Sequence, residues 1–372
     1  MNALSARRGG IFTYTLNLAK SIDDNEIDVC IGAPPHLAST IGPGSLTIDV
    51  SHMGPIRRLA WEQSVWRKIV KRESPDVLFS SANFALFASS VPQLLLMREG
   101  GLFNPYYLKS VFPQLGLRAR MATVLRRQIM LYSVRSATRV MFPSESLRDW
   151  VADWEPSIAE TGIINHYGID LSRFTMGQDR PPLDRNRIKL LYVSVYYPHK
   201  DPCTLSRAVD ALRDSGIGAD ATITMAEQEF DLWYSGRTDY EELTQSEQRG
   251  RVTLGSVDYD NLTEIYKTSS IFCFPSLSET FGFPLVEAMA CGLPIVAADT
   301  TINREICGPI ALYHTPGDPE SLAARIRELI DRPCLYRWLS SEGRKRVEKN
   351  FDWRQHLGNM VEILKEMGTG RS

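Results

Sequence analysis

Short apolar runs bounded by turn residues alternate along this chain with segments whose apolar positions recur every three to four residues. In the first half, 27–33, 45–50, 77–80, 93–97 and 140–142 read as strands, and 59–72 as a helix carrying Trp61 and Trp66. In the second half, 189–194, 271–274 and 295–298 read as strands, 202–214 and 284–291 as helices, and 351–367 as a last helix. Strand and helix in alternation predict an α/β protein built on parallel sheets. The polar stretch 168–188, with Pro181-Pro182, reads as a linker. The expected division is 1–170, a linker at 171–188, a second domain at 189–350, and a terminal helix and tail at 351–372. A chain of 372 residues can bury two cores. Trp61, Trp66, Tyr106 and Tyr107 read as core, with lining of an acceptor groove as the second reading.

The start of the chain breaks the alternation. Polar residues 1–8 lead straight into Gly9-Gly10, followed by a helical pattern through Tyr14, Leu16, Leu18 and Ile22. A Gly-rich turn of this kind normally follows a strand. No strand is read before it, so the first sheet is expected to lack its central strand.

Composition narrows the class. Net charge is −2 and charged residues are 23%, which points away from nucleic acid as a partner. The six Cys are scattered without a Cys-x-x-Cys, so reduced thiols, no zinc and a cytoplasmic setting are expected. No apolar run approaches the roughly 18–20 residues of a membrane helix, and no secretory leader is read at the start. Residues 111–140 hold six Arg (118, 120, 126, 127, 135, 139) and no acidic residue. Peripheral contact with anionic lipid at the inner face of the membrane is one reading. A solvated helix using Arg stems as cover is the other, since these Arg do not share one helical face.

The chemistry concentrates in 275–294, Pro-Ser-Leu-Ser-Glu-Thr-Phe-Gly-Phe-Pro-Leu-Val-Glu-Ala-Met-Ala-Cys-Gly-Leu-Pro. Pro284 suits the first helical position, and Gly292 with Pro294 suits the stop. The free N–H groups of that helix then lie near Phe281, Gly282, Phe283 and Pro284, where the dipole favours an anion. Glu279 precedes the helix and Glu287 sits one turn into it. Carboxylates accept hydrogen bonds from sugar hydroxyls. Two of them flanking a phosphate-binding helix end suggest a nucleotide sugar as ligand. Lys200, at a strand-to-helix turn, can reach phosphate as a point charge. His199 is either a further donor or a solvated turn residue. Asn83 and Arg98 follow strand ends, and Glu305 is placed at a cleft rim. His314 reads as a strand-end residue away from the chemistry, and Asp318 as a helix cap. No Asp-x-Asp pair is read at a strand end, so no metal is expected.

The segment from Ser278 to Pro294 resembles the Glu-x7-Glu signature of retaining glycosyltransferases, family four. The likeness extends through 303–313, 318–323, Gly255-Ser-Val with Tyr266, 167–174 and Pro198-His-Lys-Asp201, strongly over about 140–355 and weakly before. It implies the GT-B fold: two Rossmann-like domains facing across a cleft, the last helix crossing back to the first. It implies a nucleoside diphosphate sugar as donor substrate, with no other cofactor, and a glycan or lipid-linked acceptor. Glu287 would hold the ribose, Glu279 the donor sugar, and Lys200 with the helix end the leaving pyrophosphate, with retention at the anomeric carbon. Gly9-Gly10 would face the donor phosphate or the acceptor. The sequence departs from the family at Arg98, where a His is usual, and at Ser194-Val195, where an Arg is usual. A degenerate non-catalytic relative, or a GT-B epimerase or phosphorylase, is the competing expectation.

Overall fold

In a computed structural model the described residues are 1–6, 10–22, 27–177, 183–233 and 235–370. They form two compact units: Met1–His166 with Arg354–Ser372, and Tyr167–Trp353. The first unit thus ends a few residues before the expected linker. Residues 167–177 belong to the second unit, where Ile169 bridges Asp352.

The first unit holds parallel strands β1 (Ile31–Ala33) and β2 (Ser45–Thr47), and a four-stranded parallel sheet of β3 (Leu78–Ser80), β4 (Gln93–Leu96), β5 (Arg139–Phe142) and β6 (Ile163–Ile164). Among the described residues no strand lies between β1 and β3, as expected, but one residue spans the gap. Asn2 bridges both Gly32 of β1 and Ser80 of β3 in parallel. Its N–H donates to the Phe79 carbonyl at 2.7 Å, and the Gly32 N–H donates to the Met1 carbonyl at 2.9 Å. The polar first residues hid this because one bridging residue gives no hydrophobic period to read. A cavity of about 900 Å³ lies beside Met1, among Trp66, Phe79 and Met360. It opens at the amino ends of these strands, the end opposite to where open α/β sheets bind ligands.

The expected helix over 59–72 is a longer rod: Pro55–Trp61, a π-turn at Glu62–Trp66, then Arg67–Glu73. Trp66 is buried, while Trp61 packs half-exposed against the same cluster. The last helix, Trp353–Gly368, packs within the first unit from Arg354 on. There the Tyr14 hydroxyl pairs with His356 Nε2 at 3.0 Å, and Arg139 with Glu366 at 2.8 Å.

The second unit is a six-stranded parallel sheet of β7 (Ile188–Tyr192), β8 (Ala219–Ile223), β9 (Val252–Leu254), β10 (Ile271–Phe274), β11 (Ile295–Ala298) and β12 (Leu312–His314). The spatial order is β12-β11-β10-β7-β8-β9. Every residue of β10 and β11 is buried, as helices on both faces require. Burial of Phe272 and Phe274 contributes about 1.5–3 kcal/mol each. The order also locates the site. The chain runs outward from β7 through β8 to β9, then returns to β7's other side as β10. That reversal leaves a crevice at the carboxyl ends of β7 and β10.

Candidate active site

Both chemistry-bearing loops start at that crevice. After β7 the chain makes a 3-10 turn, Pro198–Lys200, and enters the helix Pro202–Asp214 through Asp201 in the left-handed region. After β10 it runs through 275–282 into the helix Phe283–Ala290, one residue earlier than the expected 284–291. The Leu277 N–H donates to the His199 carbonyl at 2.8 Å, which ties the two loops together. The Tyr192 hydroxyl donates to the Lys200 carbonyl at 2.7 Å. Lys200 Nζ then lies 2.5 Å from Glu279 Oε1, both side chains about nine-tenths covered. The two residues assigned to phosphate and to sugar hydroxyls are therefore partners of each other before any ligand arrives.

Gly282 caps the helix at φ +87, and a Cβ there would meet Leu285 Cδ1 at 3.1 Å. Only glycine takes that conformation without strain. Gly282→Ala is expected to cost about 1–3 kcal/mol of stability, read by urea unfolding; an unchanged midpoint would show that the turn does not need its present backbone. Tyr167 braces the same turn, stacked on Phe283 at 5.2 Å and edge-on to Phe281 at 5.3 Å. Phe281 also meets Phe351 edge-on at 5.7 Å. The rings of Phe281 and Phe283 are thus packing. What this segment offers a ligand is the positive amino end of the helix, although Pro284 has no N–H and that of Leu285 already donates to the Gly282 carbonyl at 3.0 Å.

Glu287 is buried on the same helix, and the Tyr266 hydroxyl donates to its Oε2 at 2.9 Å. Tyr266 is itself fully buried, between Phe174 and Phe272. Desolvation pushes the Glu287 carboxyl up to about 7, against the pull of the Tyr266 bond and the Arg173 charge. Arg173 in turn pairs with Asp260 at 3.0 Å. Asp260 closes an Asp-x-Asp begun by Asp258, which lies in the loop after β9 and not at the strand end. Among the described residues no group of three His, Cys, Asp or Glu is placed to hold a metal ion.

The remaining candidates divide. His199 stacks on Tyr197 at 5.4 Å, and burial with the Lys200 charge holds it down to about 4. It is neutral at pH 7 and adds no cation to the site. Glu305 is half-buried on the helix Thr301–Cys307, and its carbonyl accepts from Arg346. His314 ends β12 in the core, and Asp318 caps the next helix through the Ser321 N–H at 3.0 Å. In the first unit, Asn83 at φ +61 accepts the N–H groups of Arg98 at 2.7 Å and Glu99 at 3.0 Å. The Arg98 guanidinium lies 5.4 Å over the Tyr14 ring. Asn83 thereby shapes the loop that carries Arg98. Gly9 lies outside the described residues, and Gly10 opens the first helix, Gly10–Ser21. Reading the sequence missed Tyr192 and Arg173 and gave Tyr167 and Tyr266 no role. Their only signal is an aromatic or basic residue whose partner lies far along the chain.

Solved structures share this architecture. Sucrose-phosphate synthase from Thermosynechococcus elongatus superposes with a TM-score of 0.75 at 18% identity, covering 100% of this chain and 98% of that one. Anabaena Alr3699/HepE, solved in complex with UDP and glucose, gives 0.72 at 17% identity, covering 98% of each. The fold is GT-B, a glycosyltransferase architecture. Residues 178–346 match the model of the family described as Glycosyl transferases group 1. Among curated relatives, the MMP alpha-(1->4)-mannosyltransferase of Mycolicibacterium hassiacum is 33% identical over 117 residues, 31% of this chain and 28% of that protein. The D-inositol 3-phosphate glycosyltransferase of Salinispora arenicola is 28% identical over 54% of this chain and 48% of its own length. The chain thus spans about a quarter to a half of these two relatives. The phosphatidyl-myo-inositol mannosyltransferase of Mycolicibacterium smegmatis matches over 93% of this chain and 87% of its own, at 23% identity.

Proposed function

We propose that this protein transfers a sugar from a nucleoside diphosphate sugar to a hydroxyl of a glycan or lipid-linked acceptor, with retention at the anomeric carbon. One observation carries the reading. At the carboxyl ends of β7 and β10, a Lys–carboxylate pair stands on adjoining loops, and the helix that one of these loops enters presents its amino end and carries a buried carboxylate. Glu287 accepts the ribose hydroxyls and Glu279 those of the donor sugar. Lys200 and the N–H groups around Phe283 stabilise charge developing on the departing pyrophosphate. Lys200 must therefore share or leave its bond to Glu279 when the donor binds. This division of charge needs no metal ion and no cofactor beyond the donor, so chelation should leave transfer intact. The bound UDP of the HepE structure supports the donor class, and the mannosyltransferases among the relatives support a hexose.

The test is a thermal-shift and turnover panel with UDP-, GDP-, ADP- and dTDP-sugars. Stabilisation by one nucleotide class with slow donor hydrolysis is expected. Stabilisation without hydrolysis, and without transfer to any acceptor tried, would favour a binding protein that has lost catalysis. A folded protein stabilised by none of them would overturn the proposal.

A further inference from the structure

A row of aromatic rings joins the loop after β7 to the loop after β8. His199 stacks on Tyr197 at 5.4 Å, and Tyr197 meets the Trp233 ring at 5.2 Å, tilted by 58°. Tyr197 is 39% exposed and Trp233 half-buried. Val195 and Leu232, close to them in the chain, are 53% and 78% exposed. One exposed ring needs no explanation, but a grouped apolar surface marks a contact. The support beneath it is firmly tied. Tyr196 is buried and stacks on Phe230 at 3.9 Å. Its N–H donates to Glu229 at 2.7 Å and its hydroxyl to Asp239 at 2.5 Å. The Trp233 N–H donates to the Phe230 carbonyl at 3.2 Å. The buried Tyr196–Phe230 pair thus fastens the two loops together and leaves Tyr197 and Trp233 facing outward.

Position says what this surface takes. The Lys200 N–H donates to the Tyr197 carbonyl at 2.8 Å, so the row begins one turn from the Lys200–Glu279 pair. That pair stands on the loops after β7 and β10; the rings stand on the loops after β7 and β8, on its other flank. The ribose end of the proposed donor lies on the β10 side. Glu287 is carried by the helix after β10, and Tyr266, its partner, by the helix before it. The rings therefore adjoin the sugar end, where the glycosidic bond is exchanged and the acceptor must stand. A pyranose ring carries C–H groups on its faces and hydroxyls at its rim. The negative face of an aromatic ring attracts the former and leaves the latter in water.

We propose that Tyr197 and Trp233 form a stacking subsite for a pyranose ring of the acceptor. Its role rests on the transfer reading, but its binding test needs no donor. The experiment is saturation-transfer NMR of the full chain with methyl α-mannopyranoside, methyl α-glucopyranoside and methyl α-galactopyranoside, without nucleotide. Saturation should reach the ring C–H protons of at least one of them. Tyr197→Leu and Trp233→Ala should each weaken that binding by about three- to tenfold, and Tyr197→Phe, which keeps the ring face, by less than about twofold. Tyr197→Leu keeps apolar bulk at a half-exposed site, so its unfolding midpoint should match wild type. Titrations with UDP and GDP should be the same in wild type and all three variants. Failure of every pyranoside to bind would overturn the proposal, as would Tyr197→Leu binding like wild type or Tyr197→Phe binding as weakly as Tyr197→Leu. A loss of nucleotide affinity of about tenfold in Tyr197→Leu would assign the rings to the base of the donor and overturn it too. The two readings fail separately. Nucleotide binding without any pyranoside removes the subsite alone; pyranoside binding without any nucleotide removes the transfer reading and leaves the rings as a sugar site.

Discussion

Glu279→Gln is expected to slow sugar transfer by about three orders of magnitude while the fold persists. Its carboxylate sits 2.5 Å from Lys200 Nζ at the carboxyl ends of β7 and β10. Gln keeps the volume and an acceptor for Lys200, but loses the charge that offsets the lysine and is proposed to draw the donor sugar's hydroxyls. Groups positioned this way in acid–base or electrostatic roles are worth about 10²–10⁴ in rate. Lys200→Ala removes the cation proposed to face the leaving pyrophosphate and should cost about 10²–10³. The two side chains touch, so the double variant should lose far less than the product of the single losses. Steady-state kinetics on all three variants decide the matter. Transfer within a few-fold of wild type in Glu279→Gln would remove this residue from the reaction, and multiplicative losses would show that the pair does not act as a unit.

Glu287→Gln should make the ligand-free protein more stable above pH 7 and weaken nucleotide binding. Burial raises the Glu287 carboxyl from its ordinary 4.5 to about 7. The folded protein therefore holds a proton that the unfolded chain has released. Stability linked to this group is fully present below about pH 4.5 and is lost as pH rises to about 7, after which the loss is constant. A gap of this size corresponds to about 3 kcal/mol. The amide cannot ionise, so the variant should match wild type near pH 4 and exceed it by up to that amount at pH 8. Tyr266 can still donate to the amide oxygen. At pH 8, where Glu287 is ionised, donor affinity should move the other way, falling about ten- to a hundredfold, because the charged acceptor proposed for the ribose hydroxyls is gone. Urea unfolding at acid and alkaline pH, with nucleotide titration at each, reads both effects. Equal stability of the two proteins at pH 8 would show that Glu287 is not desolvated as the structure has it.

Much of the second unit was legible beforehand. The run from Ile271 to Ala298 showed two apolar strands, a Gly-bearing turn, Pro284 at a helix start and Gly292 at its end, and the structure places each within a residue or so. These signals are local: a missing N–H, a positive φ, a burial period. Glu279, Glu287 and Lys200 were singled out by the same means. The first unit was read less well. Its opening strand is reduced to a bridge at Asn2, too short to show a period. Along Leu117–Ser136 both buried residues, such as Met130 and Val134, and exposed ones, such as Met121 and Leu125, are apolar, and only packing separates them.

The sequence by itself determined the α/β alternation, the two-unit size, the glycine and proline punctuation of the turn that leads into Phe283–Ala290, and the identity of its charged residues. Each follows from backbone sterics or periodicity within a few residues. Tertiary structure alone decided that Lys200 faces Glu279 across 79 positions, that Tyr266 holds Glu287 across 21, and that the Glu287 carboxyl is desolvated. Those facts depend on strand order. β10 returns beside β7 and aligns the two loops, and neither partner carries in its own neighbourhood any record of the other.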